Sequence, residues 1–254
     1  MRILISNDDG IQAEGIQALA AALAPHHSVV VAAPMHQQSG MAHALTVGHP
    51  MEVARDTALE ARYRQYGLEA YAIEGTPTDS VKLYLEAIAE VQPDVVLSGI
   101  NHGANLATDI TYSGTVGAAM EGYLHGIDAF AVSLDAQSEL SYAETAEVFR
   151  TFMEREVAAR EEAEPLFYNV NFPVRFAADG VQFVFGRQGR RDYKNAFQRH
   201  EQDGKVFYTM AGEIYDTDKG EPTDIYATEQ GYVAVTPLII DATDYAALDN
   251  RLQR

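Results

Sequence analysis

Asn7, Asp8, Asp9 and Gly10 set three oxygen-bearing side chains in a row directly after the apolar run Arg2 to Ser6. Adjacent carboxylates repel, so a pair kept at the end of a strand calls for something positive between them. Carboxylate, amide and hydroxyl oxygens suit a hard divalent cation such as Mg²⁺, Mn²⁺ or Ca²⁺. The competing reading is an Asx turn with Asp9-Gly10 at its corner. A second informative stretch crowds Ser98, Asn101, His102, Asn105, Thr108 and Asp109 together with two glycines. It runs into Tyr112-Ser113-Gly114-Thr115, which opens an apolar helix. Hydroxyls and free N–H groups at a helix N-terminus form an anion site that could hold a phosphate. An ordinary Ser/Thr N-cap is the alternative. Ser39-Gly40 is a weaker signal, since Ser-Gly is a common turn pair.

These residues need elements to position them. Arg2 to Ser6 reads as a buried strand, GIQALAAALA at 15–24 as a helix with Ile16, Leu19, Ala20 and Leu23 on one face, and SVVVAA at 28–33 as a second buried strand. Strand, helix, strand in thirty residues is a βαβ unit, so the sheet begins parallel. Further strands are expected at 70–74, 94–97, 127–134, 166–172, 181–185 and 231–238. Helices are expected at about 80–90, 116–124, 142–163 and 244–252. Residues 205–210 and 213–215 read as hairpin arms around Ala211-Gly212, and 42–71 as irregular connections or a small strand pair. Each polar stretch follows a strand, where an open α/β sheet binds its ligand. A boundary near Glu164-Pro165 separates a core of 1–164 from 165–254.

Composition excludes several classes. Lys+Arg 18 against Asp+Glu 37 gives a net charge of −19, which argues against polymeric nucleic acid and anionic membrane surfaces. A small anionic substrate then needs a local cation. Cysteine is absent, which removes disulfides, thiolate nucleophiles and Cys-ligated metals. No signal-peptide pattern or membrane-length apolar run is present, so the expected location is the cytoplasm. No GxGxxG, GxxxxGK[ST] or HExxH occurs. His36, His43 and His102 therefore stay outside the metal set, and His102 could reach a phosphate or simply be satisfied by backbone. The basic cluster Arg187 to Lys194 either touches an anionic substrate, pairs with a partner subunit or lies in water.

Together the motifs resemble the SurE family of metal-dependent 5′-nucleotidases. The resemblance is carried by SNDDG at 6–10 with Gly15-Ile16, Ser39-Gly40, GTPTD at 75–79 and SGIN at 98–101 with Asn105. YSGTVGAAMEG at 112–122, NVN and Pro at 169–173, and the stretch Thr223 to Leu238 continue it. It implies a Rossmann-like α/β fold, a mostly parallel sheet flanked by helices with a C-terminal β-rich extension that reaches toward a neighbour in homodimers or homotetramers. It implies one divalent metal per subunit, Mg²⁺ or Mn²⁺, on Asp8, Asp9, Ser39 and Asn101, with Asn105, Ser113, Gly114 and Thr115 on the phosphate side. Met35-His36-Gln37-Gln38 and Met41-Ala42-His43 depart from the family pattern at the rim.

The expected reaction is hydrolysis of a nucleoside monophosphate, with Asp8, Asp9 and Asn101 as the catalytic set and Asp8 preferred for orienting or deprotonating the water. A covalent aspartyl-phosphate is disfavoured because no DxDx[TV] order is present. The alternatives are a nucleotide-binding module without turnover and, less favoured, a metal-dependent glycosyltransferase.

Overall fold

The computed structural model describes residues 1–160 and 164–252. Their strands are β1 Arg2–Ser6, β2 Ser28–Pro34, β3 Val53–Arg55, β4 Glu69–Ile73, β5 Val95–His102, β6 Asp128–Leu134 and β7 Phe167–Phe172. The chain continues with β8 Phe183–Phe185, β9 Arg190–Lys194, β10 Phe197–Gln202, β11 Lys205–Met210, β12 Glu213–Asp218 and β13 Val233–Pro237. The helices are α1 Glu14–Leu23, α2 Thr57–Arg62, α3 Pro77–Leu83, α4 Gly114–Leu124, α5 Tyr142–Ala159, α6 Asp224–Glu229 and α7 Tyr245–Leu252.

Nine strands join one sheet in the order β3-β4-β2-β1-β5-β6-β7-β13-β8. The run from β4 to β7 is parallel, β3 is antiparallel at one edge, and β13 pairs antiparallel with β7. Strands β7, β8 and β13 come from beyond residue 164, so the last third of the chain completes the central sheet. The continuous apolar run of β1 follows from burial on both faces. Ile3 and Ile5 pack with Ile16, Leu19 and Phe149, whereas Leu4 packs with Val81, Leu85 and Ala118.

Helix starts match their chemistry. Thr76 and Asp79 form a reciprocal capping box with Pro77 in the first turn of α3, and Ser141 and Glu144 do the same for α5. The helix expected at about 80–90 thus begins earlier, at Pro77, and widens into a π turn over Tyr84–Ile88. Of the long helix expected at 142–163, α5 ends at Ala159, and residues 161–163 lie outside the described residues.

The C-terminal hairpin differs from expectation. Residues 205–210 pair with 197–202 around Asp203-Gly204, and 213–218 pair back with 190–194. Ala211-Gly212 is the crossing between these two ribbons, because Asp203 and Gly204 take the positive φ that a tight turn requires. The ribbon β9–β12 is fastened to the core by Arg191. Its guanidinium donates to Asp216 at 2.7 Å and to Asp109 at 3.2 Å, and its carbonyl accepts from the Thr108 hydroxyl. Arg187 pairs with Asp218, and the Lys194 ammonium lies 3.9 Å from the Tyr215 ring. The basic cluster is therefore engaged mainly within the chain. Arg191→Met would leave Asp216 and Asp109 half-buried without their cation, and should cost about 3 kcal/mol, read as a lower urea midpoint. Among the described residues no helix is long and apolar enough to cross a membrane.

Candidate functional site

Strand order reverses beside β1: the chain runs outward through β2 and β4 and then returns as β5 on the other side of β1. That is a topological switch point, where loops at the carboxyl ends splay apart and open a crevice. Asp8 and Asp9 leave β1 at this point. Asn101 lies near the end of β5, whose pairing with β6 shifts between Ser98 and Asn101. Ser39 follows β2. Asp8, Asp9, Ser39 and Asn101 line one cleft of about 770 Å³, together with Gln37, His102, Asn105 and Ser113. Its far wall is Asp109, Tyr112, Tyr193, Ala196, Met210 and Ala211.

Asp8 is buried and Asp9 half-buried. Neither forms an ion pair with a cationic side chain among the described residues. Thr115 donates its hydroxyl to Asp8 Oδ1 at 2.7 Å, and the bare Cα of Gly114 lets α4 approach so closely that a Cβ there would sit 3.0 Å from Asp8 Cβ and 3.1 Å from Oδ2. Burial pushes the Asp8 carboxyl up to about 6; the Thr115 bond opposes this, and the neighbouring Asp9 adds to it. Asp9 is held differently. Its Oδ2 accepts the His102 backbone N–H at 3.1 Å, and the Gln37 amide lies 3.4 Å from its Oδ1 and 3.0 Å from Ser39 Oγ. Asn101 donates Nδ2 to the Gly103 carbonyl at 2.7 Å, which keeps its amide oxygen as an acceptor.

The phosphate-side residues are placed unevenly. Ser113 caps α4 by accepting the Val116 N–H at 3.1 Å, and its own O–H remains able to donate into the cleft. The cap and anion readings of Ser113 are thus compatible. Thr115 is fully buried and its hydroxyl is spent on Asp8, so it orients Asp8 instead of facing a ligand. Gly114 acts in the same way, through the space it leaves. Asn105 is pinned from three sides: its N–H donates to Asn171 Oδ1 at 2.8 Å, its carbonyl accepts from Asn169 and Asn171 at 2.8 and 3.1 Å, and its Nδ2 donates to Ser133 Oγ at 2.9 Å. The second Nδ2 hydrogen is left for a ligand.

Gln37, Asn169 and Asn171 lay outside the sequence-derived set. Two asparagines at alternate positions of a strand, both facing one side of the sheet, are the signal that could have found the pair. The His102 side chain turns away to the Tyr142 hydroxyl at 3.1 Å, and it is the main chain of His102 that serves Asp9. One other group, Glu86, Glu121 and His125, has ligand atoms within 4.8 Å of one another. Lys82 Nζ already bridges its carboxylates at 2.6 and 3.1 Å, which supplies the positive charge a cation would bring.

Comparison with known proteins converges on one family. The family model described as survival protein SurE matches residues 3–195. A protein of Pelotomaculum thermopropionicum named 5′-nucleotidase SurE is 40% identical over 251 residues, covering 98% of this chain and 93% of its own length. Another of that name from a Synechococcus species is 41% identical over 257 residues, covering 100% and 97%. The crystal structure of the SurE protein of Aquifex aeolicus superposes with a TM-score of 0.81 at 35% identity, over 100% of both chains.

Proposed function

The chain belongs to the SurE family, and from that premise and the cleft we propose that it hydrolyses nucleoside 5′-monophosphates to nucleoside and phosphate, with one divalent cation per subunit, Mg²⁺ or Mn²⁺. The observation that carries the reading is the convergence of Asp8, Asp9, Ser39 and Asn101, from three strand ends, on a cleft where the carboxylates meet no cationic side chain among the described residues. Two carboxylates, a hydroxyl and an amide oxygen form a hard donor set that fits such an ion. When bound, it would neutralise phosphoryl oxygens and acidify a water.

The protein's own groups do the positioning. Asp8, with Oδ1 tied to Thr115, keeps Oδ2 for the cation or for the proton of the attacking water. The Ser113 hydroxyl and the free Asn105 amide hydrogen would face the place where charge grows on the phosphate oxygens. The wall of Tyr112, Tyr193, Ala196 and Met210 offers a nucleoside-sized apolar surface beyond it. Tyr193 supplies its ring alone, since its hydroxyl is committed to Asp109 at 2.8 Å.

Incubation with AMP and Mn²⁺ should release inorganic phosphate, and EDTA should abolish the release. Mn²⁺-dependent AMP binding without phosphate release would identify a non-catalytic nucleotide-binding module instead. We further propose a homodimer or homotetramer built through the C-terminal extension. Every residue of β10, β11 and α7 is exposed, including Phe197, Tyr208, Met210 and Leu252, and an isolated two-stranded ribbon is marginal in water. A monomeric mass by light scattering would refute this. A cytoplasmic location, expected from the sequence, belongs to the same reading.

A further inference from the structure

Glu121 is a buried carboxylate that the proposed reaction does not use. It lies on α4 with its side chain 3% exposed, and His43 Nε2–H donates to its Oε2 at 2.8 Å. Lys82 Nζ donates to Oε1 at 3.1 Å. Burial pushes this carboxyl up, but the bonds from His43 and Lys82 outweigh it and hold the group below the usual carboxylate range. A buried charge with this much support is costly to build and asks what it fastens.

It fastens the segment that begins at Ser39. Between β2 and β3 the chain has no regular structure, and Ser39 itself is exposed, with Gln37 as its hydrogen-bond neighbour. A hydroxyl is a weak ligand, so its contribution depends on where the backbone is held. Upstream, Gln38 N–H donates to the Asp8 carbonyl at 2.7 Å. Downstream, Ala42 N–H donates to the Tyr112 carbonyl at 3.1 Å, and the Ala42 carbonyl presses onto Gly117, where a Cβ would stand 2.1 Å away. His43 on Glu121 follows, and then Thr46, whose N–H and hydroxyl donate to Asp79 at 2.9 and 2.7 Å. Ser39 thus hangs between an anchor on the Asp8 loop and one on α4, the two elements that also build the cleft.

We propose that His43, held by buried Glu121, is a positioning residue that fixes the Ser39 loop, so that the Ser39 hydroxyl joins Asp8, Asp9 and Asn101 at the cation. This rests on the metal reading above, and the experiment separates the two.

Mn²⁺ binding is measured by electron paramagnetic resonance of the free ion, without substrate, for the full-length wild type, His43→Ala, His43→Gln, Ser39→Ala and the double variant Ser39→Ala/His43→Ala. His43 is 30% exposed, so the fold should tolerate its truncation. His43→Ala should weaken Mn²⁺ about tenfold, and His43→Gln, which keeps a donor at similar reach, should recover most of it. The double variant should match Ser39→Ala within about twofold, because a residue that acts only through Ser39 has nothing left to lose once the hydroxyl is gone. In metal-free protein, His43→Ala should speed hydrogen exchange over 39–46 and leave β1 and β5 unchanged. AMP turnover should fall through kcat with KM little changed. Undiminished Mn²⁺ affinity in His43→Ala, or losses that multiply in the double variant, would overturn the proposal while leaving the metal reading intact. A wild type that binds no Mn²⁺ would overturn the metal reading, and the proposal with it.

Discussion

Asp8→Asn should lower kcat/KM for AMP by about 10³-fold or more and yet make the metal-free protein more stable at neutral and alkaline pH. Both effects have one source. The carboxyl is buried, has Asp9 beside it and no cationic side chain paired with it, and is pushed up to about 6 from an ordinary value of 3.8. Because its folded pKa lies above its unfolded one, the folded state holds this proton more tightly. Stability linked to Asp8 is therefore greatest below about pH 4 and is lost as pH rises through about 6. An amide carries no charge to desolvate and still accepts the Thr115 hydrogen bond through its oxygen. In EDTA at pH 8, the Asp8→Asn variant should gain about 1–3 kcal/mol over the wild type, which is roughly 2–4 °C in Tm for each kcal/mol. The gain should shrink as pH falls through about 6 and vanish below about pH 3, where Asp8 is largely protonated in both states. Thermal scans across that range, with and without Mn²⁺, test the sign. A variant that is less stable than wild type in EDTA at pH 8 would mean that the Asp8 charge stabilises the metal-free fold, and would overturn this account of an uncompensated buried carboxylate.

The parallel core was legible because each of its signals is local. β1 and β2 are apolar on both faces since helices cover both, and Pro77 with Thr76 and Asp79 announces its own helix start. The site was half legible on the same ground: Asp8, Asp9 and Asn101 sit at or beyond the ends of buried strands, and a switch point must open a crevice there. What surrounds them was not readable. That Thr115 serves Asp8, that Asn169 and Asn171 clasp Asn105, and that the His102 main chain serves Asp9 are contacts across 107, 64, 66 and 93 residues of chain. Such pairings depend on the order of strands in the sheet, which local periodicity does not encode.

The C-terminal ribbons show a different limit. Residues 205–210 and 213–215 read as strand arms, but 190–202, RRDYKNAFQRHEQ, carries no apolar–polar alternation that would mark the two strands they pair with, so the register could not be read from pattern. The turn at Asp203-Gly204 decides it, with both residues at positive φ, whereas Ala211-Gly212 looked equally suited. Arg191 then binds the ribbon to Asp109 on the cleft wall, so a cluster that reads as a loose basic patch is a fastening between two parts of one cleft.

Gly114→Ala is the sharpest test of how tightly Asp8 must be placed. The substitution adds one methyl group to the first turn of α4, where alanine suits a helix better than glycine does. Helix propensity therefore predicts a neutral or slightly stabilising change. The geometry predicts otherwise for activity: the new Cβ would stand 3.0 Å from Asp8 Cβ, 3.1 Å from Oδ2 and 3.2 Å from Pro77 Cγ. Pro77 is fixed in the first turn of α3, so Asp8 is the neighbour that must yield, by a few tenths of an ångström, stretching its bond to Thr115 as it moves. Reacting groups tolerate little displacement, and a misplacement of about 1 Å can cost on the order of 10²-fold. We expect kcat for AMP to fall roughly tenfold or more, Mn²⁺ affinity to weaken in step, and Tm to stay within a few degrees of wild type. Thr115→Ala should reproduce part of the loss by releasing the same carboxylate from its other side, and combining the two should cost less than the product of the single losses, since both act on one side chain. If Gly114→Ala instead binds Mn²⁺ and turns over AMP as the wild type does, the closeness of α4 to Asp8 has no bearing on catalysis, and the glycine serves packing alone.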